Sequence, residues 1–332
     1  MSNRRIFYAC QAVAISPDLS ITEDQVARGV QSVGINTSFN LEQVFELGQI
    51  QIYENIEGLP DVEVTLEKVI DGHKLLWSLA TDHAVNPNSL SSRSKVQCNL
   101  TLGIFSEDQD SVANVTPPVE VFCSGMYVSS CSYTIPVDGN ATESLTLVGN
   151  NKQWLTTGQK LGAGNLGNLD GADTPDTAGG GVQRRENFSL TNSRIPVSVY
   201  GVSSNNAGGA NNDLVHLQNI SVSVDFGRED LLELGQKAPY YRAANFPIEV
   251  TCDIEVISVS GDFVGAVESA DNNTNQEVID IYLQNGMRIF LGSGNRLSSV
   301  SYGGGDAGGG NVTCTYSYST FNDFYITDPS VA

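Results

Sequence analysis

The sequence predicts a mostly β protein: two tandem copies of a β-barrel or β-sandwich domain, each with a short helix. Three observations point there. The composition is that of a turn-rich β chain, with 33 Gly and 12 Tyr among 332 residues and only 17% charged residues. Runs rich in Val, Ile and Thr alternate apolar and polar residues, as half-buried strands require. Finally, one stretch occurs twice. Residues 31–49 lie over residues 218–236 at a constant offset of 187, with 7 of 19 positions identical, which is the mark of an internal repeat.

The repeat continues on both sides. Tyr53 and Pro60 match Tyr240 and Pro247, and a one-residue slip then brings Val62-Glu63-Val64-Thr65 onto Ile248-Glu249-Val250-Thr251. Further on, Ser124-Gly125 and Ser129-Ser130-x-Ser132-Tyr133 recur as Ser293-Gly294 and Ser298-Ser299-x-Ser301-Tyr302, at an offset of 169. The second copy is therefore 17 residues shorter (186 − 169) between the two blocks. The organisation read from this is a first β domain over 1–155, a Gly-rich linker over 156–189 and a second β domain over 190–332. Each is an ordinary domain size, and the chain is long enough for two cores.

In chain order, residues 6–15 read as a first strand, and Ser16-Pro17-Asp18 turns the chain. Residues 30–39 set Val30, Val33 and Ile35 among small polar residues, a second strand. Asn40 is placed to cap a helix beginning at Leu41. There Leu41, Val44 and Phe45 have i, i+3, i+4 spacing, predicting about two turns of helix over 40–47, ended by a left-handed Gly48. Gly227, Glu229, Leu231, Leu232 and Gly235 repeat the pattern and predict a matching helix over 227–234. Residues 62–70 alternate Val62, Val64 and Leu66 with acidic residues, and Asp71-Gly72 marks a turn. Leu75-Leu76-Trp77-Ser78-Leu79 reads as a short helix or a plug. Further strands are expected at 96–105, 119–122, 126–135 and 143–148. Residues 157–181 are dense in Gly, Asp and Asn and read as an exposed loop between the copies. Residues 197–202 restart the fold. Strands at 220–226, 248–259, 278–283, 288–291 and 312–318 repeat the first set, and 303–310 form a Gly-rich hairpin tip.

Several function classes are excluded or demoted. The formal net charge of −21 argues against a surface that grips nucleic acid, because phosphates are repelled, but suits one that DNA must pass without sticking. The six cysteines, Cys10, Cys98, Cys123, Cys131, Cys252 and Cys314, show neither CxxC pairs nor zinc spacing. They read as buried reduced thiols, with one disulfide pair as the alternative. Arg4 and Arg5 precede no long apolar run, so no signal peptide is expected. No run of about 20 apolar residues is present for a membrane span, and folding in a cytoplasm is the expectation.

His73, His83 and His216 stand in no HExxH or triad pattern, and no GxSxG, Walker A or EF-hand motif occurs. Gly162-x-Gly164-x-x-Gly167 has no strand before it and no helix after it, so it reads as linker and not as a dinucleotide loop. Asp170, Asp173 and Asp176 lack the spacing and terminal Glu of a calcium loop. No catalytic residue, metal or cofactor is expected, and the chain reads as no enzyme. Glu42 with Glu46, and Glu229 with Glu233, are four apart on the predicted helices and share a face. They are the candidate acidic face.

Three classes of function fit these features. One is a self-assembling structural protein in which duplication fuses two ring positions. The second is a partner- or carbohydrate-binding pair of β-sandwiches. The third is an enzyme, ranked last because no catalytic constellation is present. The segments Val30-Gln31-Ser32-Val33-Gly34-Ile35, Phe45-Glu46-Leu47-Gly48-Gln49, Tyr53-Glu54-Asn55-Ile56 and Pro60-x-Val62-Glu63-Val64-Thr65-Leu66-Glu67-Lys68-Val69, with Asp71-Gly72, resemble tail tube proteins of tailed bacteriophages. Phe226-Gly227-Arg228-Glu229 through Leu234-Gly235-Gln236, Tyr240-Tyr241-Arg242 and Phe246-Pro247-Ile248-Glu249 are similar to the same set.

The resemblance implies a β-barrel or sandwich with a short helix and a long hairpin loop. It also implies hexagonal rings stacked into a virion tail tube through which DNA is ejected. Synthesis in the host bacterial cytoplasm and contacts with other tail proteins go with it. A baseplate or tail-end protein built on the same domain is the near alternative. Two copies per chain favour a trimer with pseudo-six-fold symmetry over a hexamer of whole chains, joined by sheet-edge pairing. In that setting Glu42, Glu46, Glu229 and Glu233 would face the lumen or an interface.

Overall fold

The computed structural model describes residues 4–19, 21–48, 50–108, 112, 114–156, 158–162, 181–191, 215–258, 261, 277–305 and 310–328. Its strands are β1 (Gln11–Ser16), β2 (Val26–Ala27), β3 (Val30–Phe45), β4 (Ile52–Val69), β5 (Cys98–Ile104), β6 (Val119–Pro136), β7 (Thr142–Gly149) and β8 (Asn151–Thr156). Between β4 and β5 lie two short helices, α1 (Leu76–Thr81) and α2 (Leu90–Arg93). Next come β9 (Phe188–Thr191), β10 (Val215–Asp225), β11 (Glu229–Leu231), β12 (Tyr241–Ala243), β13 (Glu249–Ser258) and β14 (Asp280–Leu283). The last strands are β15 (Arg288–Phe290), β16 (Arg296–Gly303), β17 (Thr313–Phe321) and β18 (Tyr325–Thr327). The fold is mostly β, as the alternation predicts.

One antiparallel sheet runs through both halves in the order β3-β4-β7-β6-β10-β13-β17-β16. The sequence offsets map its first four strands onto its last four in the same order. Two irregularities recur with them. The register of β3 on β4 shifts between Val30 and Ser32, and that of β10 on β13 between Leu217 and Asn219, which is the offset of 187. The register of β6 on β7 shifts between Val128 and Ser130, and that of β16 on β17 between Leu297 and Ser299, which is the offset of 169. A bulge inserts one residue and re-aims its strand, so its recurrence carries the repeat into the backbone.

The two four-strand units meet edge to edge. β6 pairs with β10 from Ser130 opposite Asp225 to Pro136 opposite Asn219. The ladder extends at both ends: Phe226 N–H donates to the Ser129 carbonyl (2.9 Å) and Val137 N–H to the Gln218 carbonyl (2.7 Å).

A second layer closes each core. β6 changes partners near Gly125, whose φ of +69° is a left-handed value that a side chain opposes. Its first part pairs with β5 and β8, and its last part with β7 and β10. The first copy is thus backed by β8-β6-β5-β1-β2, and the second by β18-β15-β14-β9. One apolar cluster fills the space beneath both units, from Val13 and Ile15 through Leu145 and Val222 to Tyr316 and Ile326.

Helix α1 is a wholly buried plug in that cluster, as the apolar run at 75–79 suggests. The first N–H groups of a helix need acceptors, and here they come from distant parts of the chain. Leu76 and Trp77 N–H donate to the Glu143 carboxylate (2.7 and 2.9 Å), and Leu75 N–H to Asp328 (3.0 Å). The Trp77 ring stacks on Phe226 (centroids 5.5 Å apart, planes 13°) and meets Phe324 edge-on (5.8 Å). A helix of the first copy is therefore seated by residues of the second.

The helices predicted over 40–47 and 227–234 do not form. The first of these stretches continues β3, paired with β4 out to Phe45 opposite Ile52, and Glu229–Leu231 form β11 on β12. Leu41 and Phe45 stay exposed. A two-turn helix without a packed face is marginal, whereas the ladder supplies partners for the backbone groups along the arm. Gly48 (φ +96°) and Gly235 (φ +90°) are left-handed as expected, but as turn residues and not as helix ends. The predicted strand at 197–202 lies outside the described residues, as do Gly164, Gly167, Asp170, Asp173 and Asp176.

Candidate functional site

The long sheet turns one face to the core and the other to solvent, and the two-residue period decides which side chain goes where. Val64, Leu66, Leu147, Cys131, Tyr133, Val222, Ile254 and Tyr316 face inward. The outer face is lined with hydroxyls. Thr65 lies between Gly34 and Thr146, Ser132 between Ser144 and Ser223, and Ser317 between Asp253 and Ser299.

Charge on this face is almost wholly acidic. Glu63 and Glu67 project from β4, and Glu249, Asp253 and Glu255 from β13. The offset of 186 carries Glu63-x-Thr65-x-Glu67 onto Glu249-x-Thr251-x-Asp253, so each copy holds the same acidic pair around a threonine. The eight strands contain two Lys or Arg residues. Lys68 points into the core, bonded to Asp71 (2.9 Å) and the Arg28 carbonyl (2.6 Å), and Arg296 opens β16 at the far edge. Such a face offers hydroxyls for hydrogen bonding, and the one guanidinium fork of these eight strands, that of Arg296, lies at the far edge. A nucleic-acid backbone near it is repelled.

Glu42, Glu46, Glu229 and Glu233 are not brought to this face. Glu42 stands in β3 opposite Ile56, Glu46 just follows β3, Glu229 stands in β11 opposite Ala243, and Glu233 follows β11. All four are exposed on the two hairpin arms, and the helical faces that were to pair them are absent. Glu63, Glu67, Glu249 and Asp253 escaped the sequence reading as a set. The signal was there in the acidic alternation along 62–70 and its repeat, but the sequence did not say that this strand lies inside a two-copy sheet.

Among the described residues the sheet is open at both ends: there β3 pairs only with β4, and β16 only with β17. An unpaired edge presents a row of N–H and C=O groups to the next chain that fits it. Past the sheet body, β3 and β4 continue as an arm with Phe39, Leu41, Phe45, Leu47, Ile50 and Tyr53 exposed. The second arm, β11 with β12, is shorter and exposes Leu232, Leu234 and Tyr240.

No family model and no curated protein matches the chain. Among solved structures it is similar to the anti-feeding prophage cap, a tube-terminating cap seen by cryo-EM, at 13% identity and a TM-score of 0.33. The likeness covers 47% of this chain and 94% of that one. A likeness so low carries no argument.

The joint between the copies shows how a closed edge is built. Phe226 is buried beneath Trp77, and Arg228 donates to the Val128 carbonyl (2.8 Å) while its guanidinium lies 5.3 Å from the Phe226 ring centre and 5.2 Å from that of Tyr127. Burial pushes the Arg228 pKa down to about 10. Arg242 ties the short arm down through Asp230 (3.1 Å) and Asn150 (3.0 Å).

Two fully buried acids, Glu120 and Glu143, accept from backbone N–H groups. Glu120 accepts from Lys160 and Leu161 N–H (2.9 and 2.7 Å). Glu143 accepts from α1 and from the Tyr133 hydroxyl (2.7 Å), and burial raises its pKa. All six cysteines are buried. Among the described residues no group of three His, Cys, Asp or Glu side chains is placed to hold a metal, and no helix is long and apolar enough to cross a membrane.

Proposed function

We propose that this chain is a structural protein of a phage tail. It assembles into rings that stack into a tube, and DNA is ejected through the lumen past the acidic, hydroxyl-lined sheet face. It carries out no catalysis. The observation that carries this reading is the eight-stranded sheet itself, in which two copies of one unit are already joined edge to edge and, among the described residues, both outer edges are left open. An edge-to-edge contact repeated head to tail generates a ring when the rotation closes. With two units per chain, a six-unit ring takes three chains.

The sequence resemblance to tail tube proteins supports the same reading, and the charge pattern suits it. Six copies of the acidic pair would line a three-chain ring, from Glu63 with Glu67 and Glu249 with Asp253. Their field keeps the phosphate backbone from settling on the wall. The two arms, carrying Glu42 and Glu46 or Glu229 and Glu233 beside exposed apolar residues, are the contacts to the next ring or to other tail proteins.

Negative-stain microscopy with mass measurement tests the proposal. Rings of three 35.5 kDa chains, stacking into tubes, are the expected result. Replacing Leu47 and Ile50 by Ser at the tip of the long arm is expected to leave single rings that no longer stack. Monodisperse monomers at high protein concentration would reject the tube reading in favour of a binding module.

A further inference from the structure

The internal joint specifies an external one. β10 of the second copy pairs with β6 of the first, and the repeat makes β3 the equivalent of β10 and β16 the equivalent of β6. Among the described residues each equivalent has one edge unpaired. We propose that β16 of one chain pairs antiparallel with β3 of a second copy of this chain, in the register of the β6–β10 joint. This rests on the ring reading above and names the strands and residues that make the contact.

The register comes from transposing each observed pair through the two offsets. Ser130 opposite Asp225 becomes Ser299 opposite Ser38, and Ser132 opposite Ser223 becomes Ser301 opposite Asn36. The Ser129 carbonyl, freed by its bulge to accept from Phe226 N–H, has its counterpart in Ser298, at the matching bulge, facing Phe39 N–H. Because side chains alternate, a one-residue slip would turn every core-facing group of an edge to the lumen, so the shared bulge and the alternation fix the same register.

The exposed aromatics support this independently of the backbone. Tyr133 is 1% exposed in the internal joint, whereas its equivalent Tyr302 is 54% exposed on the free edge. Phe226 is fully buried, whereas its equivalent Phe39 is 71% exposed. The same residue types at the same repeat positions are covered where a neighbouring unit exists and bare where none does. The cation of the joint changes sides: Arg228 and Tyr127 in the internal joint correspond to Leu41 and Arg296 at the free edges. A guanidinium thus remains available to lie against the phenylalanine, supplied from the opposite strand. The paired outer-face groups Ser299, Ser301, Asn36 and Ser38 are uncharged, so no like charges oppose closure.

Cysteine cross-linking tests the register. Directly opposed residues in an antiparallel pair lie about 4.5–5.5 Å apart, within disulfide reach. The in-register pair is Ser301→Cys with Asn36→Cys in one chain, and Ser299→Cys with Ser38→Cys is a second variant should the first misfold. The control is Ser301→Cys with Ser32→Cys, four residues or roughly 13 Å out of register at about 3.3 Å per residue. The six native thiols are buried and leave the new pair to react first.

Mild oxidation of either in-register variant is expected to give covalent species ending at three chains on denaturing electrophoresis, with the control remaining a single chain. Equal cross-linking of control and in-register variants, or cross-linking of the control alone, overturns the joint. Rings in the microscope without in-register cross-links overturn the joint and leave the tail reading standing. In-register cross-links without rings support the joint and reject the ring.

Discussion

Phe226→Ala tests whether the two copies share one core or merely touch. The ring is fully buried, stacked on Trp77 at 5.5 Å, with the Arg228 guanidinium 5.3 Å from its centre. Truncating a buried Phe to Ala loses its transfer free energy and opens a cavity, together about 3–5 kcal/mol. The stack with Trp77 adds ~0.5–1.5 kcal/mol beyond the area term, which places the expected loss near the upper end. Phe39→Ala is the matched control, the same residue at the same repeat position but exposed. Its expected change in the unassembled chain is within about 0.5 kcal/mol. Urea unfolding, followed by tryptophan fluorescence at protein concentrations too low for assembly, measures both. Trp77 is buried and Trp154 exposed, so the shift on unfolding reports chiefly on the joint. The midpoint should fall in Phe226→Ala with an unchanged slope. A loss below about 1 kcal/mol, or an equal loss in Phe39→Ala, would refute the shared core and with it the use of Phe226 as a guide to Phe39.

Two further predictions concern buried polar groups. Glu143→Gln turns an acceptor of three hydrogen bonds into a group whose NH₂ faces a donor, which is expected to cost about 1–3 kcal/mol. Burial raises the folded pKa of Glu143 above its ordinary 4.5, so between those two values the folded chain binds more protons than the unfolded one. The stability contributed by this group therefore falls as pH rises through that window, and the gap between wild type and Glu143→Gln should narrow; urea midpoints that show the gap widening would contradict the buried-acid account. Burial also pushes the thiols of Cys98 to about 12 and Cys123 to about 11. All six cysteines should ignore an aromatic disulfide reagent at about pH 8 in the native chain and all react in denaturant, and fast native labelling of Cys98 would show the core misread.

Much of the fold was legible because its signals are local. Alternation along 62–70 and 126–135 needed no knowledge of neighbours to read as strand, and β4 and β6 contain nearly all of those stretches. The buried cysteines followed from spacing and composition. The repeat survived well enough for its offsets to superpose the two bulge pairs seen in the structure, although a bulge itself leaves no mark in composition. The arm was misread because Leu41, Val44 and Phe45 satisfy a helical period by chance of spacing. A short segment takes its conformation from whatever satisfies its backbone, and the partner strand here closes a turn that propensity did not weigh.

The sequence by itself determined that the chain is β, that it is duplicated, and that it is acidic. These are properties of composition, period and self-similarity, which need no third dimension. The tertiary structure decided the rest. It set Glu143, 66 and 67 residues from its partners, under the first turn of α1. It gathered Glu63, Glu67, Glu249 and Asp253 onto one face, whereas Glu42, Glu46, Glu229 and Glu233 went to the arms. Above all it separated Phe39 from Phe226, two residues that the sequence makes equivalent. One is bare and the other buried because burial depends on a neighbouring unit, and the chain supplies that neighbour at only one of the two positions.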